Sequence, residues 1–170
     1  MNIKQFVRNG LVIGGIASAT SALAALAGGR HTVGKALPPL NAVSHIAWGG
    51  PPPRDEGRGA INTLMGALLH TGACVFWASI YDVLFARGAR RDPARMAAGA
   101  AKTAAIAYFT DYYVVSKRFQ PGYEAYLSPA SMFAVYAALA AGIALGAVLT
   151  GFDHHQVKDG NERHEGGNTQ

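Results

Sequence analysis

AYLSPASMFAVYAALAAGIALGAVLTGF, residues 125–152, lies between Glu124 and Asp153 and holds 28 residues without one charged side chain. Its heart runs from Met132 to Leu149. A helix needs about 20 largely apolar residues to cross ~30 Å of hydrocarbon, so this stretch is long enough to span a bilayer. A helix buried in a water-soluble core is usually shorter and keeps a polar face. The run therefore places the chain in lipid.

Charge-free or charge-poor runs divide the whole chain into four helical segments rich in Ala and Leu. The expected spans are about 10–29, 60–86, 95–115 and 130–152, which predicts an all-α integral membrane bundle of four transmembrane helices. The polar, Gly-rich stretch 153–170 is expected to be a disordered cytoplasmic tail. The loop 87–95 carries four arginines and one aspartate, and short Lys/Arg-rich loops stay cytoplasmic. Lys4 and Arg8 ahead of the first span agree, so both termini are expected inside. A competing reading takes the first apolar run as a secretory signal cleaved after Ala22-Leu23-Ala24 or Ala25-Leu26-Ala27. That run is longer than a typical signal core, and its small residues suit close helix packing in lipid.

Lys and Arg number 15 against 10 Asp and Glu, but they flank apolar segments instead of lining one face. That arrangement argues against nucleic acid as a partner. Cys74, the single cysteine, lies in an apolar segment and gives no disulfide framework. In the connection 30–59, Pro38-Pro39 and Pro51-Pro52-Pro53 exclude one regular helix. Residues 40–49 between them are apolar enough to lie on or dip into the outer interface, with Trp48 at headgroup depth.

Ionisable side chains inside spans are costly and face protein or water. At 1.5 Å per residue, His70 lies ~25 Å above the inner edge and Asp111 ~24 Å. They are therefore level in the outer half, on neighbouring antiparallel helices. Asp82 and Lys102 are level at ~8 Å and ~10 Å, as inner-edge charges. Lys102 and Asp111 stand about 180° apart around the third helix, so one face cannot present both. A buried His70–Asp111 contact is expected, either as a packing hydrogen bond or as a proton-relay or ligand site opening outward. Lys102 is expected to snorkel, and Asp82 to be reached by Arg87 or Lys102. Along the second span, Asn62, Gly66, His70, Cys74, Trp77 and Tyr81 recur every three or four residues, the mark of a protein-facing stripe.

No cofactor, metal or catalytic residue is expected. A membrane haem held by two histidines needs a second one, and no other span contains His. His154, His155 and His164 read as a solvated tail, and no phosphate loop, nucleophile elbow or zincin signature occurs.

Two stretches carry a resemblance: Asn41-Ala42-Val43-Ser44-His45-Ile46-Ala47-Trp48-Gly49 and Asp111-Tyr112-Tyr113-Val114-Val115-Ser116-Lys117-Arg118-Phe119-Gln120-Pro121-Gly122-Tyr123-Glu124. Together they resemble a family of small multi-span proteobacterial inner-membrane proteins grouped as a domain of unknown function. The likeness covers most of 34–151. It implies a bacterial inner membrane and several spans, and carries no activity to transfer. In the expected topology both stretches fall outside, so His45, Lys117, Arg118 and Glu124 are candidates for an outer-mouth cluster beside His70 and Asp111. The alternative is an aromatic belt in which Trp48, Tyr112, Tyr113 and Tyr123 anchor at the interface.

The function expected is that of a non-enzymatic membrane protein, structural or an assembly component. The alternative is a small transporter or channel subunit using the His–Asp pair. The expected partners are the lipid bilayer and a homo-oligomer or second membrane protein.

Overall fold

Asn2 starts the first helix by accepting the Lys4 amide at 3.0 Å, and α1 then runs Ile3–Val33 until Gly34 turns left-handed at φ 74°. The side-chain cap and the terminal glycine are why the helix begins before the apolar run and outlasts it. This computed structural model describes the backbone of residues 2–53, 59–86 and 92–165, with side chains through 151. Two short helices come next, α2 (Pro38–Val43) and α3 (His45–Trp48). Prolines are tolerated in a first helical turn, so Pro38-Pro39 open α2 while still preventing one long helix. Helix α4 (Gly59–Tyr81) continues as a π-helical turn, Asp82–Ala86. Asp92 caps α5 (Pro93–Phe109) by accepting the Ala94 and Arg95 amides, and α5 continues as a second π turn, Thr110–Val114. Single 3₁₀ turns at Lys117–Phe119 and Tyr123–Ala125 lead to α6 (Pro129–Glu165).

The described residues are all helical, without a strand. Three helices are long and apolar enough to cross a membrane: Ile3–Val33, Gly59–Ala86 and Pro129–Gly151. Helix α5 falls short of that measure, with 17 regular residues that include Arg95 and Lys102. Helix α6 does not stop at 152 but runs into the stretch expected to be disordered, as far as Glu165. Extending an existing helix adds one hydrogen bond per residue fixed, without a new nucleus. Residues 166–170 of the expected tail, and Arg87 of the expected Asp82 pairing, lie outside the described residues.

The helices pack antiparallel around a closed circuit, α1 on α4, α4 on α5, α5 on α6 and α6 back on α1. Small residues let the backbones meet. A Cβ at Gly14 would lie 2.5 Å from the Val75 Cα, and one at Gly142 would strike Thr20 and the Ala17 backbone. This is the close approach that drives helix association in lipid, where hydrophobic burial adds little. Thr20 Oγ1 also donates across the α1–α6 seam to the Ala138 carbonyl at 2.9 Å.

The solvent preference is inverted relative to a water-soluble bundle. Asn9, Ser18, Ser21, His70, Asp82 and Thr103 are buried, while Leu23, Leu64, Leu68, Phe76, Phe109 and Phe133 are exposed. Large apolar side chains on the outside, with the polar ones turned in among the core, are what a lipid-facing surface requires. The predicted stripe on α4 is its buried face: Asn62, Gly66, His70, Cys74, Trp77 and Tyr81 are all buried.

The seam between α4 and α5 is uneven. Near their connection they meet closely, with Tyr81 donating to the Met96 carbonyl and Gly99 against Tyr81 and Phe85. At the opposite end, loop residues from both long connections enter between the helices. Leu40 is seated against Gly66, Asn41 accepts from Thr63, and Trp48 donates to Asn62. Residues 38–48 of this connection are thus a cap packed on α4.

Candidate functional site

The wedge between α4 and α5 holds a cavity of about 100 Å³. His70, Cys74 and Trp77 reach it from α4, Asp111 from the π turn after α5, Tyr136 from α6 and Ser21 from α1. Tyr123, Phe119 and Pro121 close it from the loop, over an apolar floor that includes Leu69, Val43 and Leu139. His70 and Cys74 are four residues apart and Trp77 three further on, so all three share one helical face.

The imidazole of His70 is fully engaged. Tyr123 donates its hydroxyl to Nδ1 at 2.9 Å. On the other side, Nε2 lies 3.1 Å from Ser21 Oγ and 3.3 Å from the Ser18 carbonyl. Ser21 spends its own proton on the Ala17 carbonyl at 2.6 Å. The carbonyl and the committed hydroxyl both require a donor, so the ring is neutral with its proton on Nε2. Tyr123 is only 3% exposed, and burial pushes its hydroxyl above the ordinary tyrosine range, so it stays a donor at any physiological pH.

Ser21, His70 and Tyr123 have the spacing of a hydroxyl, a ring and an orienting group. The proton directions run the wrong way for a nucleophile and base. The serine hydroxyl points at Ala17, and the nitrogen facing it already carries a proton. Cys74 Sγ sits 3.7 Å from Nε2 and 3.8 Å from Ser21 Oγ, at the edge of the same network.

The expected His70–Asp111 hydrogen bond is not formed. Asp111 Oδ2 instead accepts from Tyr136 at 2.7 Å. The cause is the loop: Tyr123 takes the place beside His70 expected for the carboxylate. The two residues face the same cavity from different walls. Helix α6, whose apolar run carries no formal charge, supplies the carboxylate's partner.

Of the two expected inner-edge charges, Asp82 is buried, and its Oδ1 accepts from the Asn9 amide of α1 at 3.2 Å. Lys102 does not reach it. It is exposed on α5, while Gly99, Ala100 and Thr103 face inward. Lys102 and Asp111 do take opposite sides of their helix, since Asp111 turns in to Tyr136. Both acids stand in π turns, Asp82 at the end of α4 and Asp111 at the end of α5. Such a turn inserts a residue and re-aims the side chains beyond it, a device frequent at functional positions.

The expected outer-mouth cluster is not one site. His45 is buried, with Nδ1 bonded to the Ala42 carbonyl at 2.7 Å, because the tight α2–α3 junction folds it back on its own turn. Arg118 extends over Gly49 and lies 5.9 Å from the Phe119 ring centre. Lys117 and Glu124 are exposed and make no ion pair among the described residues. The two stretches that carried the resemblance pack together: Gly122 lies against His45 and Ala42, and Arg118 lies against Gly49.

Sequence reading missed Tyr123, Tyr136 and Ser21. Trp48 and Tyr113 are exposed as belt residues should be, and Tyr112 is partly buried, but Tyr123 is buried inside the loop wedge. A local cue was available in Pro121-Gly122, where Gly122 at φ 80° turns the chain inward just before Tyr123. No group of three or more metal-ligating side chains occurs among the described residues.

No protein-family model matches the chain, and neither a curated protein nor a solved structure gives a significant match. What the fold itself defines is an all-helical protein with three membrane-capable helices and a largely apolar cavity into which His70 and Asp111 project.

Proposed function

We propose that the chain is a non-enzymatic, multi-span protein of a bacterial inner membrane, built as a structural or assembly component. In this reading α5 is the fourth span. Its helix, extended by the π turn to Val114, covers 22 residues, or about 33 Å at 1.5 Å per residue. The arginine-rich 87–95 loop and both termini face the cytoplasm, and the α2–α3 cap and 115–128 face outside.

The observation that carries the reading is the internal closure of the His70 network, in which both ring nitrogens are bonded within the chain and the imidazole is not left poised as a base. Small-residue seams at Gly14 and Gly142 add a bundle tuned for close packing. Its partners are lipid and a second membrane protein or further copy of the chain. Mild-detergent purification with cross-linking and mass measurement tests this. A defined complex supports it, whereas a lone monomer with a substrate-dependent chemical turnover would refute it.

A second reading, a small transporter or channel subunit, is favoured by one specific observation. The cavity brings Asp111 and His70 together on shared space and includes Phe119, which is 53% exposed at its rim. Intramembrane carboxylates mark ligand and ion paths by default.

A further inference from the structure

We propose that this cavity binds a small organic ammonium cation, with the Asp111 carboxylate as counter-ion. The proposal rests on the second reading above, in which the cavity opens to the outer water, and it names the ligand class for that site.

Asp111 has one hydrogen bond, from the neutral Tyr136 hydroxyl, and no cationic side chain pairs with it among the described residues. One neutral donor compensates little of the cost of holding a carboxylate away from water. The single histidine in the cavity does not supply the missing charge. Its Nε2 proton is directed at Ser18 and Ser21, and its Nδ1 is covered by Tyr123. Among the described residues the site therefore has a negative pole without a positive partner.

The walls fit an organic cation better than a bare ion. Trp77, Phe119, Tyr123 and Tyr136 line the cavity, and aromatic faces attract ammonium groups, Trp most strongly. A bare ion keeps its hydration unless several oxygens replace it. Here the floor is Val43, Leu69, Val135 and Leu139, which suits an alkyl chain. At about 100 Å³ the space admits a short alkylammonium and excludes anything of drug size.

Cys74, the only cysteine, lines the same cavity and serves as a native reporter. The experiment compares its modification by three methanethiosulfonates of similar size, cationic ethylammonium, anionic ethylsulfonate and an uncharged ethyl reagent, on the full chain in detergent and in vesicles. Asp111 and Cys74 line the same cavity, and a unit charge within so small a space acts strongly at an effective dielectric near 20, so the cationic reagent should react at least about tenfold faster than the anionic one. Millimolar ethylammonium chloride should protect Cys74, and equimolar ethanol should not. Asp111→Asn should abolish both the preference and the protection. Tyr113→Phe, at an exposed ring outside the cavity lining, should keep both, and melting curves confirm that each variant is folded.

Ready labelling by the uncharged reagent, with no charge preference and no protection, would overturn the cation site while leaving an open cavity, its carboxylate neutralised by a proton. Failure of every reagent to reach Cys74, with full labelling after unfolding in SDS, would overturn the opening itself and the transporter reading with it.

Discussion

Removing one oxygen, by Tyr123→Phe, tests the hydrogen-bond logic of the cavity. The ring still fills the wedge, so no void opens, but His70 Nδ1 loses the donor that stands 2.9 Å away. No other side-chain donor among the described residues replaces it, and the opposite ring nitrogen is committed to α1. A net hydrogen bond is worth about 1 kcal/mol, and an acceptor stranded without water costs about 1–3 kcal/mol in all. For a chain of this length about 2–4 °C of Tm accompanies each kcal/mol, so a fall of roughly 2–12 °C is expected in detergent. Tyr113→Phe is the control, since that side chain is 68% exposed and keeps its ring contacts with Tyr108 and Phe109. The assay is thermal unfolding of wild type, both single variants, His70→Leu, and the His70→Leu/Tyr123→Phe pair. Coupling between the two buried sites should reach about 0.5 kcal/mol or more. Strict additivity, or a Tyr123→Phe melt equal to that of Tyr113→Phe, would mean that the tyrosine hydroxyl does not hold the imidazole.

Three further substitutions have definite expected outcomes. Gly142→Ala places a methyl against Thr20 and the Ala17 backbone and should cost about 1–3 kcal/mol by overpacking, read as a lower Tm; Gly15→Ala, where the added carbon meets nothing within 4 Å, should not. Leu68→Lys, at a position 59% exposed, should sharply reduce the membrane-inserted fraction, because a lysine at a span centre costs about 2.5–3.5 kcal/mol; Leu68→Met should insert normally. Asn9→Leu removes the amide that donates to the buried Asp82, and should destabilise that end of the bundle by about 1–3 kcal/mol, visible as faster exchange or proteolysis of the 79–86 region.

The residues that announced themselves in the sequence did so through the solvent. Once lipid surrounds the helices, the three-and-four spacing from Asn62 to Tyr81 can only be an inward face, and it is. His70 and Asp111 were legible for the same reason, and their common cavity follows from the depth arithmetic that put them level. Their partners were not legible. A tyrosine next to a membrane reads as an interface anchor, and nothing local distinguishes the exposed Tyr113 from the buried Tyr123 except the left-handed Gly122 that turns the loop inward. Tyr136 was hidden by the absence of charge around it. Depth along a helix is set by chain count, whereas the splay between α4 and α5 is set by what the two loops insert there, which one sequence does not order in space. His45 shows the same limit, since its ring is claimed by a carbonyl three residues back.

Whether α5 crosses the membrane as a fourth span, with the loop after it outside, decides the topology on which both functional readings stand. Single cysteines at Ala94 and Ser116, each in a Cys74→Ala background, bracket that helix, and a membrane-impermeant maleimide applied to intact cells reads the side each occupies. A fourth span requires labelling of Ser116→Cys in intact cells and of Ala94→Cys only after permeabilisation. Labelling of both from outside, or protection of both until the membrane is breached, would contradict it.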